Sequence, residues 1–239
     1  LNHLTGTHAD RYNDPERGAF YRRYRVGLTF LAITAGAMGL LAAYVIGLLP
    51  FIILLTMSIL GLSYNLTILP EGLQGWLKYR RIRDVPGSKT ILITVAWGIV
   101  TSIFPAVIVT DTVTAGSILV FIWAMCMVFV RTAFFDVLDM QGDRIVGKET
   151  IAVLLGEQRS MQLLKALILT SLAILLLGCA LQLATNLGIL LMICPLMLLL
   201  TMRAYVQGNL LPGVRLEFLV DTHFVLAGLI TLLWSMAGG

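Results

Sequence analysis

An all-α, polytopic transmembrane helix bundle is the fold class this sequence predicts, on three observations. Of its 239 residues, 58% are hydrophobic and only 13% are charged. Mean hydropathy is +0.90. Apolar runs close to the ~20 residues needed to cross hydrocarbon recur along the whole chain. They fall at roughly 26–47, 49–69, 90–110, 114–133, 161–183, 187–205 and 218–237, which predicts about seven spans in a single domain over 1–239. Composition of this kind excludes ordinary water-soluble classes before any motif is read.

The basic residues orient those spans. Loops on one side hold Arg11, Arg17, Arg22, Arg23 and Arg25, then Lys78, Arg80, Arg81, Arg83 and Lys89. They continue with Arg131, Arg144, Lys148, Arg159 and Lys165, and end with Arg203 and Arg215, which accounts for all 17 basic residues. The opposite turns, near 47–50, 111–114 and 184–187, carry none. Lys and Arg accumulate on the cytoplasmic side, so the basic loops are placed there, in an inner or plasma membrane. The net charge of +4 then reflects orientation in a bilayer, and nucleic acid is not an expected partner.

Taken in order, residues 1–25 are polar and basic, with a turn signal at Asn13-Asp14-Pro15. They lack the apolar core of a secretory signal. The first span carries Gly27, Gly36, Gly39 and Ala43 among other small residues, which permit close helix approach in a membrane. The loop at 70–89 places Trp76 and Tyr79 at interfacial depth. Its cluster Lys78, Arg80, Arg81 and Arg83 suits anionic headgroups or a diphosphate equally well. Pro105 predicts a kink in the third span, and Pro195 one in the sixth. Asp111 is expected to cap the helix that follows it. The stripe Phe121, Trp123, Met125, Met127 and Phe129 reads as core or lipid contact, and Cys126, Cys179 and Cys194 read as small buried apolar residues. Arg215, Glu217, Asp221 and His223, near the last span, read as polar groups at a helix start with no chemistry assigned.

The stretch 131–156 carries the chemistry. Asp136, Asp139 and Asp143, followed by Arg144 and Lys148, stand just past the apolar run that ends near Val130. On one continuous helix, offsets of 0, 3 and 7 put the three carboxylates within roughly 60° of arc. Like charges 4 Å apart near a surface repel by up to ~4 kcal/mol. Folding gains nothing from that arrangement, so a positive partner is expected, and a hard divalent cation such as Mg²⁺ with a bound phosphate fits. An aspartate at the bilayer centre costs about 2.5–3.5 kcal/mol, which places the three at the rim or in a polar cavity. The segment Gly147-Lys148-Glu149-Thr150 to Gly156 reads as a turn, a short helix and a stop.

Asp136-Val-Leu-Asp139-Met-Gln-Gly-Asp143-Arg144, then Gly147-Lys148-Glu149-Thr150 and Leu154-Leu155-Gly156, resembles the second aspartate-rich motif of the UbiA family of intramembrane prenyltransferases. The loop from Tyr79 through Arg83 to Lys89 is similar to that family's YxxxK segment, with Arg83 where Lys is frequent. The first family motif falls at the start: Asn2 and Asp10 match, as do Arg11, Asn13, Pro15 and Arg17, while Gly6 stands where the first aspartate belongs. Members usually have nine spans with this motif after the second, so the resemblance implies a chain lacking two N-terminal helices.

The resemblance implies a transferase that moves an isoprenyl group from a prenyl diphosphate to a small, aromatic acceptor, as in quinone biosynthesis. It implies Mg²⁺ held by Asp10, Asp136 and Asp139, with Asn2 beside them and Asp143 as a further ligand or an orienting group. Tyr79, Arg83, Lys89, Arg131, Arg144 and Lys148 would bind the diphosphate or acceptor, Arg83 also neutralising the leaving group. One alternative is a catalytically inactive member that binds lipid or assembles with a partner, to which Gly6 speaks. A cation-coupled transporter is another, but no acidic residue lies deep in a span. Nothing in the sequence selects the acceptor, the prenyl length or the oligomeric state.

Overall fold

The computed structural model describes residue 20, residues 23–64 and residues 85–238. Among these the secondary structure is helical, with no strand. Six helical stretches are long and apolar enough to cross a membrane: Arg25–Ile46, Ser88–Thr110, Ala115–Leu138, Glu157–Ala180, Leu187–Val206 and Val214–Met236. A seventh apolar helix, Leu48–Ser63, has 16 residues and ends where the described residues stop, inside the expected second span. The protein is therefore an all-α, polytopic integral membrane protein, with about the seven spans that apolar length predicts.

The chain divides into two compact units, each considered by itself. The first joins residues 1–89 to 139–154. It contains α1 (Arg25–Ile46), α2 (Leu48–Ser63) and two short helices described with the site. α1 and α2 form a tight hairpin in which Gly47 donates its N–H to the Ala43 carbonyl at 3.0 Å. Tyr44 meets Phe51 edge-on across the turn, at 5.6 Å between centroids.

The second unit joins residues 90–138 to 155–239. Its third span is built from α3 (Ser88–Gly98), a π-helical turn at Ile99–Ile103 and α4 (Phe104–Thr110). The cause is Pro105, which cannot donate to the carbonyl four residues back and whose ring presses on that turn; widening the preceding turn relieves both. Pro195 acts likewise on the sixth span, which breaks at Met192 between α9 (Leu187–Leu191) and α10 (Ile193–Val206). α5 (Ala115–Leu138) packs most closely on α8 (Glu157–Ala180), and α11 (Val214–Met236) packs on α9 and α10. Val130, Phe134, Leu164, Ile168, Leu198 and Met202 are buried here. Phe134 meets Tyr205 at 88° between ring planes, the edge-on geometry aromatic quadrupoles favour.

Two helix ends differ from expectation. Asp111 does not cap the next helix; it closes α4 in the left-handed region at φ 56. Thr114 and Ser117 cap α5 instead. The Ser117 N–H donates to Thr114 Oγ1 at 3.2 Å, and the Thr114 N–H donates to Ser117 Oγ at 2.9 Å, a reciprocal box.

Close approach is most demanding at Gly116, where an added Cβ would lie 2.8 Å from the Leu183 carbonyl oxygen. Backbone cannot swing aside as a side chain can. Gly116→Ala gains about 1 kcal/mol of helix propensity, yet overpacking costs about 1–3 kcal/mol. We expect a lower denaturation temperature in detergent for Gly116→Ala, and an unchanged or raised one would refute the contact.

Candidate active site

Asp136 lies in α5 and is buried. The Thr90 hydroxyl of α3 donates to its Oδ2 at 2.8 Å, while Thr94 donates to the Thr90 carbonyl at 2.7 Å. Most Ser and Thr hydroxyls in these spans bond back to the carbonyl four residues earlier, as at Thr132, Thr170 and Thr201. Thr90 departs from that habit and fixes one carboxylate oxygen across a helix pair. Sequence reasoning missed it, because a hydroxyl in an apolar helix carries no distinctive pattern.

The helix breaks at Asp139, so the three aspartates do not share one uninterrupted helix. Asp139 is exposed and stands at the start of α6 (Met140–Ile145), making no side-chain cap bond there. Asp143, within α6, is fully buried, and Lys148 Nζ donates to its Oδ1 at 3.1 Å. Asp143 Oδ2 has no hydrogen-bond partner. Gly147, at φ 68, turns the chain so that the Lys148 N–H also donates to the Asp143 carbonyl at 2.9 Å. Thr150 then accepts from the Val153 N–H and opens α7 (Ile151–Leu155). Gly87 rests against Ile151, so the end of the basic loop lies on the segment that follows the aspartates. Lys89 leads from there into α3, and Arg144 is exposed.

Arg131 is engaged within the second unit. Its Nε and Nη2 donate to Asp221 Oδ1 and Oδ2 at 2.8 and 3.1 Å, and its guanidinium lies 4.6 Å from the Phe135 ring centroid. Asp221 and His223 are not the helix-start groups that the sequence suggests, because α11 begins at Val214, placing both about two turns in. They line a cavity of about 1050 Å³ together with Trp97, Trp123, Met127 and Arg131. Thr132 also lines it, and Asp136 follows four residues later, one turn along the same face of α5.

Asn2, Asp10, Tyr79 and Arg83 lie outside the described residues. Among the described residues no three His, Cys, Asp or Glu side chains converge as a metal site. The aspartates that are described suit a hard cation: the donors are carboxylate oxygens, and Asp136 has the outer support that ligating carboxylates commonly receive.

No curated protein and no solved structure matches the chain. Residues 9–219, most of its length, match the sequence profile of the UbiA prenyltransferase family. With its aspartate motif at the end of an apolar span and its membrane-crossing helices, this chain belongs to the UbiA prenyltransferase family.

Proposed function

We propose that this protein transfers an isoprenyl group from a prenyl diphosphate to a small aromatic acceptor, with Mg²⁺ assisting departure of the diphosphate. One observation carries the reading: an apolar cavity of about 1050 Å³ whose polar end lies one helical turn from buried Asp136. Its size is at the upper end for small-molecule sites, and its lining suits an isoprenoid tail.

Asp136 and Asp139, with Asp10 and Asn2 from the first motif, are the groups that would hold the cation. When bound, Mg²⁺ supplies Lewis-acid neutralisation of the diphosphate oxygens. The C1–O bond then breaks with its electron pair going to the leaving diphosphate. Arg83, Lys89 and Arg144 offset the charge that gathers there, since Arg131 is held by Asp221 and Lys148 by Asp143. The Trp97, Trp123 and Phe224 rings line the cavity and offer π faces to the allylic cation. The acceptor ring attacks C1 and afterwards gives up a proton. We place this chemistry on the cytoplasmic side, from the asymmetry of basic residues, within one prenyltransferase domain.

The test is diphosphate release by the chain in membranes, supplied with prenyl diphosphates and a panel of aromatic acceptors. Release that needs both Mg²⁺ and acceptor supports the reading. Release without metal overturns the mechanism, and silence with every acceptor favours a catalytically inactive member. Thr90→Val keeps shape and deletes one hydroxyl. We expect it to raise the Mg²⁺ concentration for half-maximal release about 10- to 100-fold, with Thr90→Ser restoring it. An unchanged Mg²⁺ dependence would refute the role of Thr90.

A further inference from the structure

The 1050 Å³ cavity is long as well as large. It follows α5 from Thr132 back to Val120 and α11 from Asp221 on to Ser235. At ~1.5 Å per residue these stretches measure about 18 and 21 Å. With two spans between them, α5 and α11 cross the membrane in opposite senses. The Arg131–Asp221 ion pair joins them at one end of the cavity, the end next to Asp136. At the other end Leu187 enters the wall, four residues after the Leu183 carbonyl that stands against Gly116 of α5. The threonines of the wall turn their hydroxyls to their own helices: Thr101 donates to the Trp97 carbonyl at 2.7 Å, Thr132 to Val128 at 2.9 Å and Thr231 to Ala227 at 2.8 Å. Their methyl groups are left for a ligand, which suits a hydrocarbon chain.

Halfway along, the wall is bare. At about 100° per residue, Asp221, Phe224, Gly228, Leu232 and Ser235 fall within roughly 80° of one face of α11, and Gly228 stands at its centre. Gly228 is exposed, and a Cβ added there meets no described atom within 4 Å. It lies seven residues beyond Asp221, and Ala124, also in the wall, lies seven before Arg131. Both are therefore about 10 Å from the ion pair. An isoprene unit adds about 5 Å to an extended chain, four carbon–carbon bonds of ~1.5 Å in zigzag. Gly228 thus stands beside the end of the second unit, and the whole path takes about four. We propose that this cavity measures the isoprenyl chain, admitting about four isoprene units, and that Gly228 is the residue that keeps its far half open. The inference rests on the prenyltransferase reading, and it names the length of the donor that reading leaves open.

Binding tests this without turnover. The chain in lipid nanodiscs with Mg²⁺ is titrated calorimetrically with prenyl S-thiolodiphosphates of two, four and eight units, which keep the diphosphate but resist ionisation. Empty nanodiscs are the blank. We expect the four-unit analogue to bind about tenfold more tightly than the eight-unit one, whose excess has no room along the path. Gly228→Leu should weaken the four-unit analogue about tenfold more than the two-unit one, because the new side chain stands in the way of the third and fourth units. Gly228→Ala, one methyl in open space, should keep most of the four-unit affinity. Comparing variant with unaltered chain at one length cancels partition into lipid, and replacing a helical glycine favours the helix. Equal affinity for four and eight units overturns the proposal, as does a Gly228→Leu loss that is the same at two units as at four. The comparison of lengths on the unaltered chain needs no variant to fold. Metal-dependent release without length selectivity refutes this inference alone, and length selectivity without release from any prenyl diphosphate refutes the enzymatic reading alone.

Discussion

Asp139→Ala is expected to lower Mg²⁺-dependent diphosphate release at least about a hundredfold, the scale of losing a principal charge-stabilising group. Asp139 is exposed at the start of α6, so its removal opens no cavity in the core. Asp136 is the harder probe, because Ala there strips the buried Thr90 hydroxyl of its acceptor, at about 1–3 kcal/mol. Asp136→Asn keeps an oxygen for Thr90 and removes the carboxylate charge. Both Asp139→Ala and Asp136→Asn should give inactive protein, with denaturation temperature in detergent read alongside release in membranes to separate lost chemistry from lost fold. Turnover surviving Asp139→Ala would end the assignment of this aspartate to the cation.

Spans are written in apolar length, and the breaks within them in proline. The expected runs at 90–110 and 187–205 reappear as Ser88–Thr110 and Leu187–Val206, interrupted ahead of Pro105 and Pro195 as the missing N–H requires. The aspartate motif is equally visible, since three carboxylates beside an apolar run repel one another unless a cation joins them. What stays hidden depends on backbone conformation or on distant partners. Asp111 takes a left-handed conformation that its identity permits but does not announce. Arg131 is visible as a cation, yet its partner stands 90 positions along the chain. Asp221 and His223 look like caps when the last apolar run is started at 218. The helix begins four residues earlier, at Val214, with Arg215 and Glu217 in its first turn, and that shift carries both residues from a helix start to a cavity wall. The first motif, at Asn2 and Asp10, and the basic loop at Tyr79 and Arg83 stand on sequence pattern, outside the described residues.

Lys148 and Asp143 form a pair whose two halves should respond very differently to substitution. The Lys148 side chain is 43% exposed and that of Asp143 is 1% exposed. Lys148→Met leaves a buried carboxylate with neither oxygen satisfied, because Oδ2 already lacks a partner. Stranding a buried charge costs about 3–5 kcal/mol, and the low end applies because water reaches the lysine end of the pair. Asp143→Asn removes the buried charge and leaves an exposed ammonium that water solvates, so about 1 kcal/mol or less should be lost. The double variant should recover most of what Lys148→Met loses, which a double-mutant cycle of denaturation temperatures would measure. Equal losses from both single variants would refute this asymmetry. The pair also decides what Asp143 does in the site. Its carbonyl accepts from Lys148 and its N–H donates to the Asp139 carbonyl at 3.0 Å, so it braces the turn on which Asp139 stands. If bracing is its whole role, Asp143→Asn slows release without moving the Mg²⁺ concentration needed for half-maximal rate. If Asp143 is itself a ligand, that concentration rises, and the variant separates the two because its fold survives.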